Sequence, residues 1–211
     1  MALSFPYALD FLAQCLIGPE IPLTLHRFDE MSGSGDGRFW SAQLAAPLWG
    51  ASYPLFAQGV AHSREINAKV MGLDGTSKTI LWADPYYNGP ASGVTAGLTN
   101  VRVSSIRADR GAIALSGLPV GFVASAGDYL SINFGTDRVY FGQFVEGGTA
   151  NASGTLVQRE VRPYLPMSIA TNAVVELLRP RFKAMITEFQ PFGAHRGGWG
   201  QNASVTILQK T

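Results

Sequence analysis

In Tyr129-Leu130-Ser131-Ile132-Asn133-Phe134, the apolar Leu130, Ile132 and Phe134 alternate with Tyr129, Ser131 and Asn133. Alternation at period two sends the two sets to opposite faces, the signature of a β-strand with one face covered. Gly135-Thr136-Asp137 follows, a short turn, and Arg138 to Val145 runs back. The result is a β-hairpin. Downstream the pattern repeats in Thr155 to Val161, Ala173 to Leu178, Phe182 to Thr187 and Ser204 to Gln209, so from Ala112 onward the chain reads almost wholly as β.

Upstream, Ile21 to Arg27 places Ile21, Leu23 and Leu25 on one strand face and Thr24 and His26 on the other. Gly33-Ser34-Gly35-Asp36-Gly37 supplies residues that tolerate positive φ, and Arg38 to Leu44 returns as a second strand. One long helix is expected between Pro54 and Gly72. At 100° per residue Phe56, Gly59, Val60, Ser63, Val70 and Met71 fall on one side and Gln58, His62, Glu65 and Lys69 on the other. Glu65 and Lys69 are ordered for an i,i+4 pair. Gly72 and Gly75 stop the helix, and Thr79 to Ala83 reads as a strand ended by Asp84-Pro85.

Seven or eight strands and one long helix define a mainly β chain of the α+β class, a β-sandwich or small barrel with a helix packed against it. The 211 residues, punctuated by 24 glycines and 12 prolines, are expected to form a single domain, 1–211, with a β-rich subregion at about 112–186.

Sixteen Lys and Arg stand against fifteen Asp and Glu, and only 15% of residues are charged, where about 25% is usual. A surface so poor in charge favours association, and its near-neutral balance argues against a dedicated nucleic-acid interface. Cys15 is the only cysteine, so no disulfide forms within the chain and no thiolate cluster holds a metal. The N-terminal residues 1–17 are apolar but lack a positive leader segment, and Asp10 interrupts them. No membrane insertion is expected, since no run of about 18 uncharged apolar residues occurs.

The chemistry-bearing residues do not assemble into an enzyme motif, and no catalytic, cofactor or metal residue is assigned. His26 sits on a strand, His62 on the polar helix face and His195 in a Gly-rich loop, without the spacing a metal site needs. Residues 72–79 end in Ser77-Lys78-Thr79, which lacks the glycine a phosphate loop places before its lysine, and they read as a helix-stop turn. No GxSxG nucleophile elbow occurs. The neighbours of Cys15 make it a buried thiol. No two carboxylates are singled out as an acid–base pair. Asp36 among its glycines offers too few oxygens for calcium. Asn151-Ala152-Ser153 and Asn202-Ala203-Ser204 match the glycosylation sequon without further support. Arg159, Arg162, Arg179, Arg181 and Lys183 form a locally basic stretch, read as salt-bridged strand faces at a subunit interface. Trp40, Trp49 and Trp82 lie in or beside apolar strands and read as core, while Trp199 could offer a stacking face to a sugar.

Several stretches taken in order resemble distal tail proteins of phages and prophages of α-proteobacteria. They are Gly33-Ser34-Gly35-Asp36-Gly37-Arg38 with Leu44-Ala45-Ala46-Pro47-Leu48-Trp49; Gly72-Leu73-Asp74-Gly75 with Leu81-Trp82-Ala83-Asp84-Pro85; Leu115-Ser116-Gly117-Leu118-Pro119 with Gly127-Asp128-Tyr129-Leu130; and Phe144-Val145-Glu146-Gly147 with Gly154-Thr155, Glu160-Val161-Arg162-Pro163 and Arg179-Pro180. The similarity runs from about Ile21 to Ile186. It implies a virion structural protein and no enzyme: six copies form a ring at the tail tip that joins the tail tube protein to the baseplate hub or receptor-binding proteins. DNA would meet it only in transit through the lumen. The protein would be made in the host cytoplasm and need no cofactor. A low charge density suits such a closed cyclic homo-oligomer. The neighbouring readings are a tail tube or other minor tail subunit, and a small carbohydrate-binding module.

Overall fold

The computed structural model describes residues 4–9, 11–12, 15, 22–193 and 199–210. The elements in chain order are β1 (Thr24–Ser34), β2 (Arg38–Gln58), α1 (Val60–Met71), β3 (Ile80–Trp82), β4 (Arg102–Ile106), β5 (Ala112–Ser116) and β6 (Val123–Ala124). They continue with β7 (Tyr129–Phe134), β8 (Arg138–Phe144), β9 (Gly148–Thr149), β10 (Leu156–Arg162), β11 (Val175–Glu176), β12 (Phe182–Gln190) and β13 (Trp199–Gln209). The chain is mainly β, as its alternating pattern requires. It divides into two compact units, one of residues 1–13, 80–183 and 211, the other of residues 14–79 and 184–210.

The first unit is a small barrel. Six strands pair in the order β11-β7-β8-β10-β5-β4, and the two ends of that sheet then meet. The backbone N–H groups of Val103 and Val175 donate to the carbonyls of Ala173 and Val101, and that of Asn172 donates to Val103. Arg102 and Val174 form the antiparallel bridge between them. Register shifts at Leu156/Arg159 in β10 and Val103/Ser105 in β4 supply the bends that closure needs. Leu130, Ile132, Tyr140, Phe144, Ile113 and Leu115 point inward, and Leu118, Phe122, Leu165 and Ile169 from the connections join the same core. Outside β7 and β8, the rings of Tyr87, Tyr129, Phe141 and Phe182 stack in series with centroids 4.9–5.2 Å apart. Both faces of this hairpin are therefore apolar at Tyr129 and Phe141, beyond what simple alternation foretells.

The second unit is an antiparallel sheet ordered β1-β2-β13-β12, with α1 packed on β2 and β13. Tyr53, Leu55 and Ala57 bury along β2 at period two, opposite Val205 and Ala203 of β13. The long helix expected between Pro54 and Gly72 is corrected accordingly. Pro54 through Gln58 remain strand because β13 supplies a hydrogen-bonding edge, and α1 has 12 residues. Gly59, at φ 83°, makes the switch from strand to helix. The buried helix residues are Ser63 and Ile66; Val60 and Met71, expected on the covered face, are exposed. Glu65 and Lys69 do pair, at 2.5 Å. The strand expected from Ile21 begins at Thr24 in β1, and Ile21 lies outside the described residues. No helix among the described residues is long and apolar enough to cross a membrane.

Candidate functional site: an exposed two-stranded arm

β2 is 21 residues long, and β13 pairs with it only from Gly50 to Gln58. Beyond Gly50 the only strand paired with β2 among the described residues is β1, so residues 25–49 form a two-stranded ribbon turned at Gly37, whose φ is 84°. Ten residues of β1 at about 3.3 Å each make an arm roughly 30 Å long. Along it, residues 26–46 are all exposed. Such an isolated hairpin is marginal in water.

The register assigns its faces. Glu30 opposes Ala42 and Ser32 opposes Trp40, so by alternation Phe28, Glu30, Trp40 and Ala42 share one face, while Leu44 is the extra residue at the register shift between Phe28 and Asp29, next to Ala45 opposite Phe28. Met31 opposes Ser41 and Gly33 opposes Phe39, which puts Met31 and Phe39 on the other. The Phe39 ring lies directly over Gly33, the packing that lets an aromatic side chain cover a strand glycine. Phe28 is 37% exposed, and Met31, Phe39, Trp40 and Leu44 are 68–72% exposed. A third of the exposed large apolar side chains of the described residues thus sit on this one ribbon. Single exposed apolar residues are ordinary, whereas five on the two faces of one ribbon are a concentration.

Trp40 was expected in the core with Trp49 and Trp82. The latter two are 3% and 4% exposed, whereas Trp40 is 70% exposed. All three lie in strands; Trp49 adjoins Gly50, where pairing with β13 ends, and its backbone N–H donates to Gln209 Oε1 at the end of β13, whereas Trp40 stands ten residues beyond Gly50 on the ribbon. The side chain of Trp199 lies outside the described residues.

The remaining candidates resolve into local roles. His26 is exposed and His62 half-buried, with Cys15 Sγ 3.8 Å from His62 Nε2. His195 lies outside the described residues. Burial pushes the Cys15 thiol up to about 11. Lys78 Nζ donates to the Gly72 carbonyl and pairs with Asp74 at 2.6 Å, closing the helix-stop turn. Asn151 Oδ1 accepts from the N–H groups of Ser153 and Thr155, which ties its turn. In the basic stretch, Arg159 pairs with Glu146, Arg162 with Glu160 and Lys183 with Asp137 inside the chain. Arg179 and Arg181 have no carboxylate partner among the described residues. Arg107 bridges Asp109 and Glu160 and depresses both carboxyls, Asp109 to about 2. Among the described residues no three His, Cys, Asp or Glu side chains converge as metal ligands would.

Compared with known protein families and with curated proteins, the sequence matches none.

Proposed function

We propose that this chain is a virion structural subunit of the distal-tail kind, whose copies close into a ring of six that joins the tail tube to the baseplate hub. The observation that carries the assembly reading is the arm. Burying one large apolar side chain gains about 1.5–3 kcal/mol, so five give at most roughly 7–15 kcal/mol. Association costs about 4–15 kcal/mol, so one arm alone is near break-even. A closed ring, in which every copy both gives and receives an arm, has one contact per subunit, one more in total than an open chain of the same length, and leaves no arm uncovered. The resemblance in order of motifs adds the tail-tip setting.

Light scattering of the purified protein, with negative-stain images of the same sample, tests this. Closed rings of one size are expected. A variant in which Asn-Gly replaces residues 29–44, shortening the hairpin while keeping a two-residue turn, is expected to be a folded monomer. Stacks of many rings would instead place the chain in the tail tube. A monomeric wild type that neither closes into rings nor caps tube ends, but binds glycans through the exposed Trp40, would overturn the reading in favour of a carbohydrate-binding module.

A further inference from the structure

The arm carries three carboxylates, and two are already held. Asp29 accepts from Arg27 at 2.8 Å, and Asp36 is bonded by Ser34 and faces Arg38 at 3.7 Å. Glu30 has no partner among the described residues. It stands on the face that also bears Phe28 and Trp40, with the exposed Leu44 at the adjacent register shift. An unpaired carboxylate ringed by exposed apolar side chains is a pattern with a definite complement: cations set against an apolar wall.

The first unit contains that complement. Beside the turn between β7 and β8 lies an open cleft of about 420 Å³, within the size range of ligand clefts. Leu81 and Phe134, both half-buried, form part of its wall. Arg138, Arg181 and Lys183 line it with the carboxylate of Asp137, three cations against one anion. Lys183 is spent on Asp137, and its side chain is only 14% exposed. Arg138 and Arg181 are exposed and have no carboxylate partner among the described residues, so two guanidiniums remain for an incoming anion. Guanidinium forks hold carboxylates bidentately and tolerate partial desolvation better than ammonium groups. Asp137 within the cleft and the chain's near-neutral balance disfavour a phosphate backbone as occupant.

We propose that the Glu30 face of the arm docks on this cleft in a second copy of the chain, with Glu30 between Arg138 and Arg181 and Phe28 and Trp40 against the apolar wall. This rests on the assembly reading above and adds the address of the arm. The apolar side chains supply affinity, and the charge pairing fixes register and excludes wrong docking.

Charge exchange tests it, with native mass as the readout across a concentration series. Glu30→Arg alone and Arg138→Glu alone each set like charges together, and each is expected to weaken association at least about tenfold. Both positions are exposed, so circular dichroism should be unchanged in both. Combining Glu30→Arg with Arg138→Glu in one chain is expected to restore most of the lost association. Single variants that assemble as well as the wild type, while the arm-shortened variant stays monomeric, would overturn the docking site and leave the assembly reading standing. The docking site is likewise overturned if both single variants fail and the combined variant fails equally. A wild type that never assembles would remove both.

Discussion

Val175 donates its backbone N–H to the carbonyl of Val101 at 2.9 Å, and with this bond the last strand of the six-stranded sheet meets the chain entering its first. The neighbouring bonds, from Val103 to Ala173 and from Asn172 to Val103, complete the seam. Closing a sheet on itself removes its two open edges, which would otherwise template pairing with other chains. The barrel unit thereby keeps its backbone to itself, whereas the arm, with β1 at a sheet edge, does not.

Val175→Pro is expected to open the seam. The substitution deletes the donor, leaves the Val101 carbonyl without its partner and adds a ring that the ladder does not accommodate, a cost of about 1–3 kcal/mol for the lost bond alone. Near-UV circular dichroism and the thermal midpoint should both fall. An unchanged midpoint would show that the seam contributes nothing to the barrel.

Asp128 is 5% exposed, and its two carboxylate oxygens accept the backbone N–H groups of Ala91 and Ser125, each at 2.8 Å. Asp128→Ala leaves both donors without their partner and should cost about 2–4 kcal/mol. Asp128→Asn keeps one acceptor oxygen, so its loss in denaturant unfolding should be smaller. Equal losses in the two variants would mean that shape, not hydrogen bonding, decides at this position.

The Asp109 carboxyl is held at about 2, chiefly by the hydrogen bond from Arg107 and then by the Gly111 N–H. Its folded value lies below the unfolded value of about 3.9. The stabilisation is therefore present above about pH 4 and is lost as the pH falls toward 2. Acid titration followed by circular dichroism should show a shallower decline in Asp109→Asn than in the wild type over that window. Part of the slope should survive, because Arg107 also depresses Glu160. Superimposable titrations would exclude Asp109 from the acid response.

Cys15 is fully buried, and desolvation, reinforced by Glu65, raises its thiol to about 11. The thiolate is the reacting species, so a disulfide reagent at pH 8 should label the native protein at least about 100-fold more slowly than the protein in denaturant. Labelling at the denatured rate would place the thiol at the surface.

The strands and turns are legible where one face alone is covered. Leu130, Ile132 and Phe134, the turn at Gly135 and the return from Arg138 are local information, because the φ/ψ alternation of a strand sets which side chains share a face. The Glu65–Lys69 pair and the turn at Lys78 are legible for the same reason, since helical spacing and a helix stop involve neighbours in sequence. Phe56 misleads because its spacing fits a helix at 100° per residue, while the neighbouring Leu55 and Ala57 fit a strand at period two. The hydrogen-bonding edge of β13, about 150 residues away, selects the strand. Trp40 and Trp49 show the same division within one strand. Their sequence settings are alike, and periodicity says which face a side chain is on but not whether anything covers that face. Coverage falls away beyond Gly50, where β13 stops pairing and whose missing Cβ admits the Ile207 carbonyl and the His26 ring; Trp49 adjoins that point and is still held by Gln209, while Trp40 stands ten residues further out. Local sequence thus specifies a β-rich, charge-poor chain with a glycine-turned hairpin near its start. That the hairpin outruns its sheet and leaves Phe39, Trp40 and Leu44 in water is settled by the three-dimensional fold, because burial depends on contacts between residues far apart in the chain.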